Sequence, residues 1–173
     1  MVKIFRLLGK KTNSVLLEYF LDHNSREYHP AILLKKIKIS KMSLYKGLRE
    51  LEKSGILNKK SLGKMNMYDL DNENPLVKQL KKLHILGKVA EQAVSLKDQA
   101  EVYLYGSCAR GENIEESDID ILVVTNIERR EITKHLKNEK TKIMIFTPLE
   151  YSMLYKQDKP FYERVERDKI RVI

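Results

Sequence analysis

The stretch Ser117-Asp118-Ile119-Asp120-Ile121-Leu122-Val123-Val124 sets two carboxylates at the head of a run otherwise suited to a sheet interior. Strand side chains alternate with period two, so Asp118 and Asp120 fall on one face and Ile119 and Ile121 on the other. Like charges brought together in a partly dry place repel and are poorly solvated, and a cation is the natural compensation. Mg²⁺ is a hard ion that takes carboxylate oxygens, keeps some of its waters and often completes its shell with phosphates. Upstream, residues 102–105 read as a second buried strand that ends at Gly106-Ser107. Gly106 lets a backbone approach a phosphate closely, and Ser107 adds a hydroxyl where the next helix begins.

Gly106-Ser107, ten intervening residues and Asp118-Ile119-Asp120 resemble the signature of the nucleotidyltransferase superfamily related to DNA polymerase beta. Arg110-Gly111-Glu112 together with Ser117 resembles its minimal nucleotidyltransferase branch, and the likeness covers roughly residues 97–173. The resemblance implies that Gly106 and Ser107 hold a nucleoside triphosphate and that Asp118 and Asp120 hold Mg²⁺ as the catalytic carboxylates. It also implies a third carboxylate on a neighbouring strand, which binds a second metal and activates the acceptor hydroxyl. That strand is expected at residues 141–146 and contains no Asp or Glu; Lys142 and Met144 stand where an acid would point, and Glu139 lies just before it. Nucleotide binding is therefore expected, and efficient transfer is not. Arg110 has two readings: it faces the triphosphate, or it pairs with Glu112, Glu115 or Glu116. Cys108 reads as a small residue lining the turn, since no base is indicated beside it.

The charge is uneven along the chain. Residues 1–97 hold 20 Lys and Arg against 9 Asp and Glu, whereas residues 98–173 hold 13 against 15, so the excess positive charge lies in the first part, at +11 against −2. A basic region suits a polyanion. Within it, helices are expected at residues 13–22 with Thr12 as cap, from Pro30 with Leu33, Leu34 and Ile37 inward, and at 41–53 after a cap at Ser40. In the third helix Leu44, Leu48 and Leu51 make a narrow buried stripe, Gly47 admits the preceding helix, and Gly55 ends the turn. Two short strands then flank Ser61-Leu62-Gly63-Lys64.

Three helices and a hairpin with a basic tip describe a winged helix-turn-helix, and residues 12–74 resemble the winged-helix transcriptional regulators of bacteria and archaea. An exposed helix fits the major groove of double-stranded DNA, and phosphate contacts position the protein without reading sequence. The expected DNA contacts are Lys41, Ser43, Tyr45, Lys46 and Arg49 on the third helix and Lys59, Lys60 and Lys64 on the wing.

After Asn74-Pro75 a long helix is expected over residues 76–97, with Leu76, Leu80, Leu83, Gly87, Ala90 and Val94 as its apolar stripe, widened by Val77 and Leu86. Such a stripe needs cover, and a homodimer through this helix supplies it, with docking inside the chain as the alternative. The organisation expected is α/β in two domains (α+β): residues 1–74 a winged helix-turn-helix, 75–97 a linker and dimerisation helix, 98–173 a small mixed-sheet nucleotidyltransferase-like domain. One cysteine and no long apolar stretch or leader point to a cytoplasmic chain without membrane contact. The expected function is a DNA-binding transcriptional regulator whose second domain binds Mg-nucleotide as sensor or structural module. The alternative is an active enzyme moving a nucleoside monophosphate from an NTP to a small molecule or to a partner protein.

Overall fold

The computed structural model describes residues 7–63, 65–136 and 138–173. They divide into two compact units, Met1–Leu80 and Lys81–Ile173.

The first unit runs α1 (Lys11–Asp22), α2 (Pro30–Lys36), α3 (Lys41–Lys53) and an antiparallel hairpin of β1 (Leu57–Leu62) and β2 (Met65–Leu70). Helix α1 starts two residues earlier than its sequence suggests. Lys10 is the N-cap and makes no side-chain cap bond, so Thr12 lies inside the helix instead of capping it. Asn13 is buried there; its amide donates to the Leu7 carbonyl at 3.1 Å and to Glu50 Oε2 at 2.8 Å. Helix α2 opens at Pro30, with His29 Nδ1 accepting from the Ala31 N–H at 3.2 Å. Helix α3 keeps its expected bounds: Ser40 Oγ accepts from the Ser43 N–H at 3.1 Å, and Leu44, Leu48 and Leu51 are wholly buried among Leu16, Phe20 and Leu33. A Cβ added at Gly47 would stand 2.6 Å from Leu16 Cδ1, so the helix that this glycine admits is α1 and not the preceding α2.

Helix α4 spans Pro75–Ala93, and a single 3-10 turn over Val94–Leu96 ends it short of Lys97. Its buried residues are Val77, Leu80, Lys81, Ile85, Val89 and Ala93, a row at steps of three and four. The stripe expected from sequence is mostly the other face: Leu83 is 65% and Val94 67% exposed, and Gly87 is open. Lys81 hides the true row from inspection, because a lysine reads as solvent-facing. Its ammonium is buried and donates to the Asn113 carbonyl at 2.7 Å.

In the second unit a four-stranded sheet has the order β5-β4-β3-β6, from β3 (Ala100–Tyr105), β4 (Ile119–Thr125), β5 (Thr141–Phe146) and β6 (Ile170–Arg171). Strands β3 and β4 are antiparallel, β6 joins β3 antiparallel, and β5 lies parallel to β4 after a crossover through α6 (Arg129–Leu136). One face, with Val102, Leu104, Ile121 and Val123, packs against Ile85, Val89, Ile132 and Leu136. The other, with Tyr105, Leu122 and Val124, packs against Tyr151 of the C-terminal helix α7 (Pro148–Gln157) and Phe161 and Val165 of α8 (Lys159–Asp168). Helix α7 has the expected capping box: the Glu150 N–H donates to Thr147 Oγ1 at 3.2 Å, and the Thr147 N–H donates to Glu150 Oε2 at 2.7 Å. No described helix is long and apolar enough to cross a membrane.

Candidate functional site

Strand β3 delivers the chain to Gly106, where φ of +71° turns it sharply into the short helix α5 (Gly106–Arg110). Asp120 follows from the pairing of β4 with β3, because Tyr105 and Asp120 are cross-strand partners. A Cβ at residue 106 would stand 2.5 Å from Asp120 Oδ2, so the glycine is what lets this carboxylate lie against the turn. Ser107 is half-buried in the first turn of α5. The glycine turn and Asp120 are thus brought together as their spacing suggested. Asp118 stands just ahead of β4 and is half-exposed.

The parallel neighbour of Asp120 on β5 is Lys142, and neighbouring residues in a sheet share a face. The Lys142 ammonium lies 2.5 Å from Asp118 Oδ2. This contact raises the lysine above its ordinary value, through the hydrogen bond and then the charge of Asp118. Asp120 is pushed up chiefly by burial; Lys142 opposes that shift and the Asp118 charge adds to it. Glu139 is exposed, and among the described residues no group of three or more His, Cys, Asp or Glu side chains is placed to hold a metal ion. The donor set is therefore a carboxylate pair with one oxygen already facing an ammonium. It offers two carboxylates to a hard cation and, among the described residues, lacks the third acid that a two-metal centre needs.

Arg110 is held by carboxylates. Its Nε donates to Glu112 Oε2 at 2.7 Å, and Nη1 donates to Asp168 Oδ2, whose side chain is buried at the end of α8. Asp168 also takes Arg167 Nε at 2.9 Å, and these two guanidinium groups hold its carboxyl below the usual range in spite of burial. Arg110 thus ties α5 to α8. The cation on the carboxylate face that sequence reasoning missed is Arg164: its guanidinium lies over the Phe161 ring at 5.4 Å, and its charge reaches Asp120. Among the described residues it makes no ion pair. Only the packing of α8 under the sheet puts it there. Cys108 is buried, its Sγ faces the Asp118 carbonyl at 3.4 Å, and burial followed by the charge of Asp120 pushes the thiol up to about 11, which makes it inert as a nucleophile at neutral pH.

In the first unit Lys41, Tyr45, Lys46 and Arg49 are exposed together on α3, beside Met42 at 83%. Ser43 is half-buried, and its hydroxyl receives that of Ser40 at 2.9 Å, so it belongs to the cap. On β1, Lys59 is exposed, whereas Lys60 pairs with Glu27 and lies 3.9 Å from Asp69. Lys64 lies outside the described residues.

Residues 86–172, half of the chain, match the sequence profile of the nucleotidyltransferase domain family. A search of the curated proteins returns no match. Among solved structures, Rv0081 of M. tuberculosis matches at TM-score 0.41 and 19% identity, over 54% of this chain and 87% of that one. Reduced HlyU from Vibrio cholerae matches at 0.38 and 18%, over 56% and 86%. A candidate nucleotidyltransferase from Sulfolobus solfataricus matches at 0.34 and 21%, over 55% and 85%. At such TM-scores the family assignment rests on the sequence match alone.

Proposed function

This chain belongs to the nucleotidyltransferase domain family, and on that premise we propose that its second unit binds a nucleoside triphosphate with Mg²⁺ while its first unit binds double-stranded DNA. The protein is then a winged-helix transcriptional regulator that uses a nucleotidyltransferase fold as sensor or structural module. The observation that carries the reading is the Lys142–Asp118 contact at 2.5 Å: the strand position that the family resemblance reserves for an acid holds a cation. The carboxylate pair remains, with Asp120 Oδ2 packed against the glycine turn. Asp118 and Asp120 would hold the ion, Gly106 and Ser107 would face the phosphates, and Arg164, which makes no ion pair among the described residues, would add positive charge that the engaged Arg110 does not offer. Mg²⁺, when bound, would neutralise phosphate charge there. The basic exposed face of α3 and the exposed Lys59 of the hairpin support the DNA assignment.

Calorimetric titration with a non-hydrolysable ATP analogue and Mg²⁺ tests the nucleotide reading. Binding is expected, and it should be lost in Asp118→Asn and Asp120→Asn; no heat at millimolar analogue would overturn it. If nucleotide and DNA are linked, saturating analogue shifts affinity for the DNA sequence that the protein selects from a random pool. Leu83 and Gly87 of α4, continued by Val94 of the 3-10 turn, form an open apolar face, which supports a homodimer; sedimentation of Leu83→Glu as a monomer beside a dimeric parent is the expected result.

The second reading is transfer of a nucleoside monophosphate to a small molecule or a partner protein. The retained Gly106-Ser107 turn and Asp118–Asp120 pair favour it, and label transfer from α-labelled ATP that Asp120→Asn abolishes would establish it.

A further inference from the structure

We infer that the Lys142 side chain stands in for a second metal ion, so that this site takes one divalent cation per nucleotide and not two. The inference rests on the nucleotide-binding reading and assigns the cation count to one residue.

The register leaves no ambiguity about which residue meets the carboxylates. Asp120 is paired with Lys142 across the parallel ladder, and two residues further along β5 the same face carries the exposed Met144. Neither can ligate a hard divalent ion. The acidic groups nearest in sequence do not repair the deficit, since no third metal-ligating side chain joins the pair among the described residues.

Charge and geometry point the same way. Asp118 and Asp120 carry two negative charges between them, and the ammonium 2.5 Å from Asp118 Oδ2 cancels one. The Lys142 charge also acts on Asp120. The remainder accommodates one Mg²⁺ together with phosphate. A second divalent ion would have to approach the same carboxylates beside the Lys142 charge, without a ligand of its own. Asp120 Oδ2 cannot shift further toward the turn, because it already rests against Gly106 at a distance where even a methyl group would not fit. Lys142 is long and 68% exposed, so it can swing far enough to admit the first ion while its charge stays near.

The cation count can be read directly. The full-length protein is isolated as a complex with a non-hydrolysable nucleoside triphosphate, and bound Mn²⁺ per chain is counted by electron paramagnetic resonance. One ion is expected for the parent and for Lys142→Met; two are expected for Lys142→Asp or Lys142→Glu, which supply the missing ligand. Without nucleotide, Lys142→Met should bind its single Mn²⁺ about two- to fivefold more tightly, the range for release of a half-exposed ion pair. Two ions on the parent, or one ion on both acidic variants with native circular dichroism, would overturn the inference and leave nucleotide binding intact. An unchanged Mn²⁺ affinity in Lys142→Met would overturn it as well. Absence of nucleotide from the parent and every variant would remove the nucleotide reading and this one with it.

Discussion

Gly106 and Asp120 approach so closely that a Cβ on the first would lie 2.5 Å from Oδ2 of the second and 3.4 Å from its Cγ. The same glycine has φ of +71°, a region that L side chains rarely adopt. Gly106→Ala therefore meets two penalties, backbone strain and a collision with a half-buried carboxylate. A loss of about 1–3 kcal/mol is expected for the second unit, read by calorimetric unfolding of the full chain. Nucleotide affinity should fall with it. A variant as stable as the parent would show that Asp120 turns aside freely.

Asp120 should cost stability where it is ionised. Burial is the largest influence on it and raises its value above that of an ordinary carboxylate. For an acid raised in the folded state, the favourable contribution is present below the unfolded value and is lost as pH rises through the folded one. Asp120→Asn is thus expected to raise the stability of the second unit at pH 7 by about 0.5–2 kcal/mol while abolishing Mg-nucleotide binding. The gain should shrink toward zero near pH 3, where the parent carboxyl is protonated too. Thermal scans across that range check it; a gain that persists at pH 3 would assign the effect to something other than charge.

Elements whose ends carry their own chemistry are legible in the chain. Helix α3 lies between the Ser40 cap and Gly55, and α7 begins at the Thr147-Pro148 box, because both ends are set by hydrogen bonds among residues a few positions apart. The face of α4 is not legible in this way. Two apolar rows share that helix, and the inward one contains Lys81, whose buried ammonium donates to the carbonyl of Asn113, far along the chain. The candidate site divides along the same line. Gly106, Ser107, Asp118 and Asp120 are local to one turn and one strand. The Lys142–Asp118 contact requires the β4–β5 register, the Arg110–Asp168 pair requires α8 to return beside α5, and Arg164 depends on the same return.

Gly47 and Gly87 are both mid-helix, and alanine should act on them in opposite directions. Alanine in a helix interior is favoured over glycine by about 1 kcal/mol. At Gly87 nothing lies within 4 Å of the added atom, so Gly87→Ala should gain about 0.5–1 kcal/mol. At Gly47 the new methyl would stand 2.6 Å from Leu16 Cδ1 and 3.1 Å from Asn13 Oδ1, and Leu16 is wholly buried with nowhere to move. Overpacking of that kind costs about 1–3 kcal/mol and outweighs the propensity gain. Denaturant midpoints of the two variants measure the contrast; a stabilised Gly47→Ala would mean that α1 and α3 separate without penalty.

The DNA reading orders the basic residues by what already holds them. Lys60 pairs with Glu27 and sits near Asp69, so its charge is compensated before any phosphate arrives. Lys41, Lys46 and Arg49 are exposed on one helix, and no carboxylate lies within ion-pair distance of them among the described residues. Each phosphate contact adds about 0.9 to the slope of log affinity against log salt. Lys46→Ala and Arg49→Ala should therefore each weaken DNA binding and lower that slope by about 1, whereas Lys60→Ala changes both far less. The ordering separates specific docking through α3 from attraction to a diffuse basic surface: under the latter every lysine would count alike, with Lys60→Ala as damaging as Lys46→Ala. Fluorescence anisotropy at several salt concentrations distinguishes the two, and equal slopes for all three variants would sink the assignment of α3 as the helix that meets the duplex.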